Sequence, residues 1–178
     1  MIHVVNWKYA DIGTAVAGAN MAQQGMVCKV TASGANRVLT PISDTEDALI
    51  NTASGAQAWG NYAVAMKVDT DAFEVDGDNA DGLTIDRVLT GDRRVKISNN
   101  DLIMEVRRGA KIEYSADLLD ASLDPARSGA TPAVGDQLGI KGSLWSTFAA
   151  ATPTGIQPAP AIARVHKVHG TNVVIELV

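Results

Sequence analysis

The sequence is poor in aromatic residues. Only 4% of its 178 residues are aromatic, so the 46% that are hydrophobic are dominated by Ala and Val. A core of this composition has to be packed from small, often β-branched side chains. A module that binds sugars through a row of exposed rings needs many aromatic residues, and the eight found here give such a module little support.

The sequence also has a single cysteine and no uninterrupted apolar run that would span a bilayer. Cys28 has no second cysteine with which to form an internal disulfide, which favours a buried thiol in a reducing compartment. Two long uncharged stretches, 12–28 and 142–163, are interrupted by Asn, Gln or Pro. We therefore expect a soluble protein with no membrane partner.

Positive charge is scarce. The formal net charge is -5 and the isoelectric point is near 5.1. Proteins that hold nucleic acid by its phosphates usually show a basic face. The densest basic stretches, 93–96 and 107–111, are short and have acidic residues nearby, so the composition disfavours nucleic acid as a partner.

What the sequence does contain is a series of short β-rich runs separated by turn residues. Examples are "GMVCKV" and "NRVLTPI" around the turn at 33–36, "YAVAMKV" at 62–68, the hairpin "QLGIKGSLWS", and the closing pair "AIARVHKV" and "NVVIELV". This spacing predicts an all-β sandwich or barrel. Helix should account for less than about one fifth of the chain.

The regions outside these runs carry two further predictions. Residues 1–24 show no clear hydrophobic period, whereas strand patterns begin at Gly25, so we expect an N-terminal arm at 1–24 and a β-barrel body at 25–178. Ser43 and Glu46 have the spacing of a capping box, which predicts a short helix through Ile50 followed by a loop.

Two of the three histidines, His166 and His169, lie three residues apart near the end of the chain. Side chains alternate between faces along a regular strand, so an odd spacing directs these two to opposite sides. A zinc site needs three or four convergent ligands, and His3 and Cys28 are the only other histidine and cysteine. We therefore predict no metal site.

Other candidate chemistry fails on its spacing. The acidic segment 76–82 does not fit a calcium loop, because Ala80 would occupy position five and Arg87 position twelve. The segment 139–143 lacks the Gly-Lys-Ser order of a phosphate loop, and nothing places a histidine beside Cys28. We predict neither a catalytic site nor a cofactor.

The order of these features resembles that of the small decoration proteins of tailed-bacteriophage heads, also called cement or head-stabilising proteins. The likeness covers roughly 25–178 and is one of pattern: "QQGMVCKV" and "RVLTPIS" come first, "NYAVAMKV" in the middle, then "TPAVGDQLGIKGSLWST", and "ARVHKVHGTNVVIELV" last. The chain departs from that family in its segment 43–60 and in a proline-rich connection.

The resemblance implies a β-barrel or β-tulip-like body with an extended N-terminal arm. It also implies a homotrimer that binds the outer surface of a capsid, bridges neighbouring major capsid subunits, and has no enzymatic activity and no cofactor. Such a protein is made in the host cytoplasm and resides in the virion. Trp7 and Tyr9 would anchor the arm on the partner, because aromatic residues dominate interface energetics; the alternative is that both rings pack on their own barrel.

Two other classes of function remain open on the sequence. One is a different phage structural subunit, from a tail tube or a head–tail joint, which should form rings. The other is a carbohydrate-binding β module, for which exposed aromatic residues are few.

Overall fold

The computed structural model describes residues 2–6, 8, 10–52, 55–67, 96–115, 118–123, 131–147 and 162–178. The described residues are mostly β with little helix, which confirms the predicted all-β fold. In chain order the strands are β1 (Ile2–Val4), β2 (Ile12–Ala17), β3 (Val27–Ser33), β4 (Asn36–Pro41), β5 (Tyr62–Lys67), β6 (Leu102–Val106), β7 (Lys111–Ser115), β8 (Gln137–Lys141), β9 (Leu144–Thr147), β10 (Ala163–His169) and β11 (Asn172–Leu177). The helices are α1 (Asp44–Thr52), α2 (Gly55–Asn61) and a short 3-10 helix (Ala121–Leu123).

The strands form a closed barrel and an open sheet. The barrel has the order β2-β4-β3-β5-β6, and β6 pairs with β2 to close it. The sheet has six strands in the order β1-β7-β11-β10-β8-β9. Every described pairing is antiparallel except β2 with β4, which run parallel and are in register at only two positions.

The predicted hairpins are present. β3 and β4 pair around the turn at 33–36, with Ser33 opposite Asn36. β8 and β9 are joined by Gly142 and Ser143, whose φ angles of 59° and 64° suit a type I′ turn. β10 and β11 form the last hairpin, which confirms the closing pair of strands.

The predicted boundary at Gly25 is wrong, because residues before it supply strands to both sheets. β1 pairs with β7 at the edge of the six-stranded sheet, and Ile2 and Val4 on β1 are buried. β2 is a barrel strand that pairs with β4 and β6. The alternation in β2 is hard to recognise in the sequence because its inward-facing residues are small: Ala15 and Ala17 lie in the barrel interior.

The capping box forms as predicted. Ser43 N donates a hydrogen bond to Glu46 Oε2 at 3.1 Å, and Glu46 N donates to Ser43 Oγ at 3.4 Å. The helix that follows runs to Thr52. The loop expected after it is wrong for 55–61, which form α2 and bury Trp59 against the core.

The core has two parts. The larger lies between the barrel and the six-stranded sheet and contains the three described buried rings Trp59, Tyr114 and Trp145. The smaller fills the barrel interior with mostly small side chains, which agrees with the composition: Ala15, Ala17, Met21, Cys28, Leu39, Ala63, Ala65, Ile97 and Ile103.

Gly25 is required where the barrel meets the sheet. Its φ is +83°, and a Cβ there would lie 2.7 Å from Tyr114 Cε1. The close approach allows the Tyr114 hydroxyl to donate to Gly25 O at 3.0 Å, while Trp145 Nε1 donates to the same hydroxyl at 3.0 Å. This buried chain of hydrogen bonds joins β7 and β9 to the segment that leads into β3 of the barrel.

Candidate functional site

The predicted anchors, Trp7 and Tyr9, lie outside the described residues. In the sequence they fall between β1, which ends at Val4, and β2, which begins at Ile12. They are therefore part of the connection between the six-stranded sheet and the barrel. Their role as partner-binding residues stays a prediction.

The two histidines near the end of the chain share one face of the sheet, so the prediction of opposite faces is wrong. The register between β10 and β11 shifts between Val165 and Lys167, as it does at a β-bulge. The bulge inserts an extra residue and changes the alternation. His166 and Lys167 are therefore both exposed in succession, and His169 is exposed on the same side, while Val165 is buried in the core.

His166 lies in a chain of charged groups on this face. Its Nε2 is 3.2 Å from Lys111 Nζ, and its Nδ1 is 3.9 Å from Glu176 Oε2. Arg164 Nε donates to the same Glu176 oxygen at 2.8 Å. Partial burial tends to raise the pKa of Glu176, but the hydrogen bond and charge of Arg164, with the charge of Lys111, hold that pKa below its ordinary value.

His169 contacts a different glutamate. Its Nε2 lies 2.9 Å from Glu113 Oε1, which also accepts a hydrogen bond from Asn172 Nδ2 at 2.7 Å. Each histidine is thus paired with its own carboxylate. Among the described residues there is no group of three or more His, Cys, Asp and Glu side chains arranged to hold a metal ion.

A buried carboxylate lies at one end of the barrel interior. Glu105 on β6 is 1% exposed and lies two residues after Ile103, so it faces the interior as Ile103 does. Arg37 Nε lies 2.7 Å from Glu105 Oε1 and 2.8 Å from Oε2. Arg107 Nη2 lies 3.5 Å from Oε1 and donates to Asp11 Oδ1 at 3.3 Å. These ion pairs join β6 to β4 and to the residue that precedes β2, so the group has a structural role.

Gly13 makes this ion pair possible. It lies on β2 directly opposite Glu105, between β6 and β4. A Cβ at this position would overlap Glu105 Oε1 and lie 3.0 Å from its Cγ. The Glu105 side chain therefore passes across β2 where β2 has no side chain, and reaches Arg37 on β4.

A second buried carboxylate joins α1 to the β8–β9 hairpin. Asp47 Oδ2 accepts a hydrogen bond from Gly142 N at 2.6 Å, while Oδ1 has no hydrogen-bond partner in the described part of the chain. Burial raises the pKa of Asp47 above its ordinary value, and the backbone N–H groups of Gly142 and Ser143 oppose that rise. No pattern in the sequence indicates this contact beyond the acidic residues in the first turn of α1.

Cys28 is buried in the barrel interior, as predicted. Its Sγ lies 3.7 Å from Met21 Sδ. Burial raises the pKa of Cys28 to about 12, so the thiolate that a nucleophile requires is not formed at neutral pH.

The acidic segment 76–82, whose spacing does not fit a calcium loop, lies outside the described residues, as does the proline-rich connection at 152–160. None of the helices in the described ranges is long and apolar enough to cross a membrane. Comparison of the chain with protein-family models, with curated proteins and with solved structures gave no match.

Proposed function

We propose that the protein is a structural component of a bacteriophage virion that binds the outer surface of the capsid and stabilises it by bridging neighbouring major capsid subunits as a homotrimer. The observation that carries the proposal is the architecture: a small barrel packs against one face of an open six-stranded sheet, and the other face of that sheet is exposed along β10. A protein whose task is adhesion needs such a surface rather than a catalytic cleft.

The use of the buried ionisable groups is consistent with a non-enzymatic role. Glu105 is paired with Arg37, Asp47 binds the backbone of a hairpin turn, and Cys28 is held in the protonated form. The described contacts of each of these groups are made within the fold itself. The resemblance to head decoration proteins, which rests on the order of strand and turn segments, supplies the capsid as the partner.

A protein that binds only the assembled shell stabilises that state by mass action. Burial of apolar side chains such as Trp7 and Tyr9 at the contact would contribute at roughly 25 cal/mol per Å², reduced by the cost of ordering the chain. Three copies of the contact in one trimer would act together, which raises the apparent affinity above that of a single contact.

The test is co-sedimentation of the full-length protein with undecorated capsids of the virus that encodes it, together with light scattering of the free protein. We expect saturable binding, an increased melting temperature of the capsid, and the mass of a trimer. Absence of binding to capsids would overturn the proposal. A hexameric or dodecameric ring would favour a tail-tube or joining subunit instead.

The double variant Trp7→Ala/Tyr9→Ala tests the predicted anchors within that experiment. We expect weaker binding to capsids with an unchanged circular dichroism spectrum. Unchanged binding would remove Trp7 and Tyr9 from the contact and leave the exposed sheet face as the candidate.

A further inference from the structure

The exposed face of the six-stranded sheet carries positive charge in a protein that is acidic as a whole. On β7, β8, β10 and β11, one set of side chains faces the larger part of the core, between the sheet and the barrel. The residues that alternate with them along each strand point away from the barrel. We call these outward positions the outer face. Its charged residues are Lys111, Glu113, Lys141, Arg164, Lys167 and Glu176, with His166 and His169 beside them.

Four of these side chains are cationic and two are acidic, which gives the outer face a formal charge of +2 with neutral histidines, whereas the whole chain has -5. The bulge in β10 contributes to this difference. Without the shift in register, His166 and Lys167 would alternate between the two faces; with it, both side chains are on the outside.

Both acidic side chains of the outer face already have cationic or hydrogen-bonding partners within it. Glu176 binds Arg164, and Glu113 binds His169 and Asn172. Lys167 is exposed and has no ion-pair partner among the described residues. The side chains of Arg164, His166 and His169 are 55%, 43% and 44% exposed. Lys167 therefore offers an accessible positive charge that no acidic side chain of the outer face pairs, while Glu176 and Glu113 are engaged with Arg164, His169 and Asn172.

We infer that the outer face, centred on Lys167, Arg164 and Lys111, docks a carboxylate-rich protein surface. Complementary charge steers such an encounter and sets its orientation. The inference rests on the proposed function only in identifying that surface with the outside of the shell. A nucleic acid fits less well, because the outer-face positions of the described strands present no Phe, Tyr or Trp ring on which bases could stack.

The test compares the full-length wild type with Lys167→Glu. Arg108→Glu is the matched control, because Arg108 is exposed in the turn between β6 and β7 and its replacement changes the charge equally outside the outer face. Three probes are used at low salt: undecorated capsids, immobilised poly-L-glutamate and duplex DNA. Circular dichroism melting confirms that each variant is folded.

We expect Lys167→Glu to weaken binding to capsids and to poly-L-glutamate by about tenfold or more, because reversing one charge removes an attraction and adds a repulsion. Arg108→Glu should change either affinity by less than about threefold, in the range of an isolated surface charge. Added salt should reduce wild-type binding to poly-L-glutamate.

The outcomes separate this inference from the proposed function. If the wild type binds poly-L-glutamate through Lys167 but does not bind capsids, the inference about the outer face is supported and the proposed capsid role is overturned. If capsids bind wild type and Lys167→Glu equally, the inference that the outer face docks the partner is overturned, while the proposed capsid role is supported. Failure of the wild type to bind poly-L-glutamate, or tighter binding to DNA than to poly-L-glutamate, also overturns the inference.

Discussion

At the scale of single residues, the barrel depends on a missing side chain. Gly13 lies beneath the Glu105 carboxylate, which crosses β2 to reach Arg37. The pairing between β2 and β4 covers only two positions, so this ion pair supports the barrel where its parallel seam is short. A buried charge that loses its partner is costly, which makes the position sensitive to small changes.

Gly13→Ala should therefore lower the free energy of unfolding by about 1–3 kcal/mol, as expected for overpacking of a buried site. The measurement is urea denaturation followed by circular dichroism. Gly60→Ala is the control, because a Cβ at Gly60 in α2 meets no atom within 4 Å. The free energy of unfolding of this variant should be unchanged or slightly higher, since alanine favours a helix more than glycine does. Equal stability of both variants would contradict the role given to Gly13.

Asp47 is a second residue at which burial has a measurable effect. Its folded-state pKa is raised by burial. The folded protein therefore holds this proton more tightly than the unfolded chain does. The carboxyl supports folding fully below its unfolded pKa, and this support is lost as pH rises through the folded pKa.

Asp47→Asn keeps an oxygen acceptor for Gly142 N but does not titrate. The stability of Asp47→Asn relative to wild type should therefore rise between about pH 4 and pH 7, a window that begins near the ordinary pKa of an aspartate. Urea denaturation at several pH values measures this trend. Asp44→Asn, at an exposed position in the same helical turn, controls for the loss of one negative charge. A relative stability that falls over this range would show that the charged form is favoured.

At the scale of elements, α1 takes the place of a neighbouring strand for part of β8. β8 pairs with β10 only at Gln137 and Leu138, so the edge beyond them faces α1. Asn51 on α1 binds that edge with both atoms of its amide: Nδ2 donates to Ile140 O at 2.9 Å, and Ile140 N donates to Oδ1 at 2.8 Å. The side chain thus satisfies two buried backbone groups.

Asn51→Ala should leave both of those groups without their partner and lower the free energy of unfolding by about 2–4 kcal/mol. Thr52→Ala provides the comparison, since Thr52 is exposed and its hydroxyl bonds only within α1, so its loss should cost less than about 0.5 kcal/mol. Chemical denaturation of the two variants gives the difference directly. A cost below about 1 kcal/mol for Asn51→Ala would mean that water replaces the amide.

At the scale of the whole molecule, the N-terminal residues hold the two sheets together. β1 belongs to the six-stranded sheet and β2 to the barrel, and both lie within the first 17 residues. Removal of β2 would leave β6 and β4 without the strand that closes the barrel between them. The N-terminal region is therefore part of the folded body.

Deletion of residues 1–23 should abolish cooperative unfolding and the near-ultraviolet circular dichroism of the packed rings. The full-length variant Trp7→Ala/Tyr9→Ala distinguishes loss of the strands from loss of the two rings. A truncated protein that unfolds cooperatively with the wild-type midpoint would restore the view of this region as a separable arm.

Features that depend on neighbouring residues were predictable from the sequence. The hairpin at 33–36, the turn at Gly142 and the capping box of Ser43 with Glu46 follow from local turn and capping chemistry. The small residues of the barrel interior follow from a composition poor in rings.

Features that depend on partners distant in sequence became evident only in the folded protein. β2 is a strand because β4 and β6 pair with it, although its small side chains give little hydrophobic contrast. His166 and His169 share a face because the register with β11 shifts between Val165 and Lys167, which turns His166 and Lys167 to the same side. Alternation along a single strand does not reveal such a bulge. Glu105 is buried because Gly13 and Arg37, which are far away in sequence, make room for it and neutralise its charge.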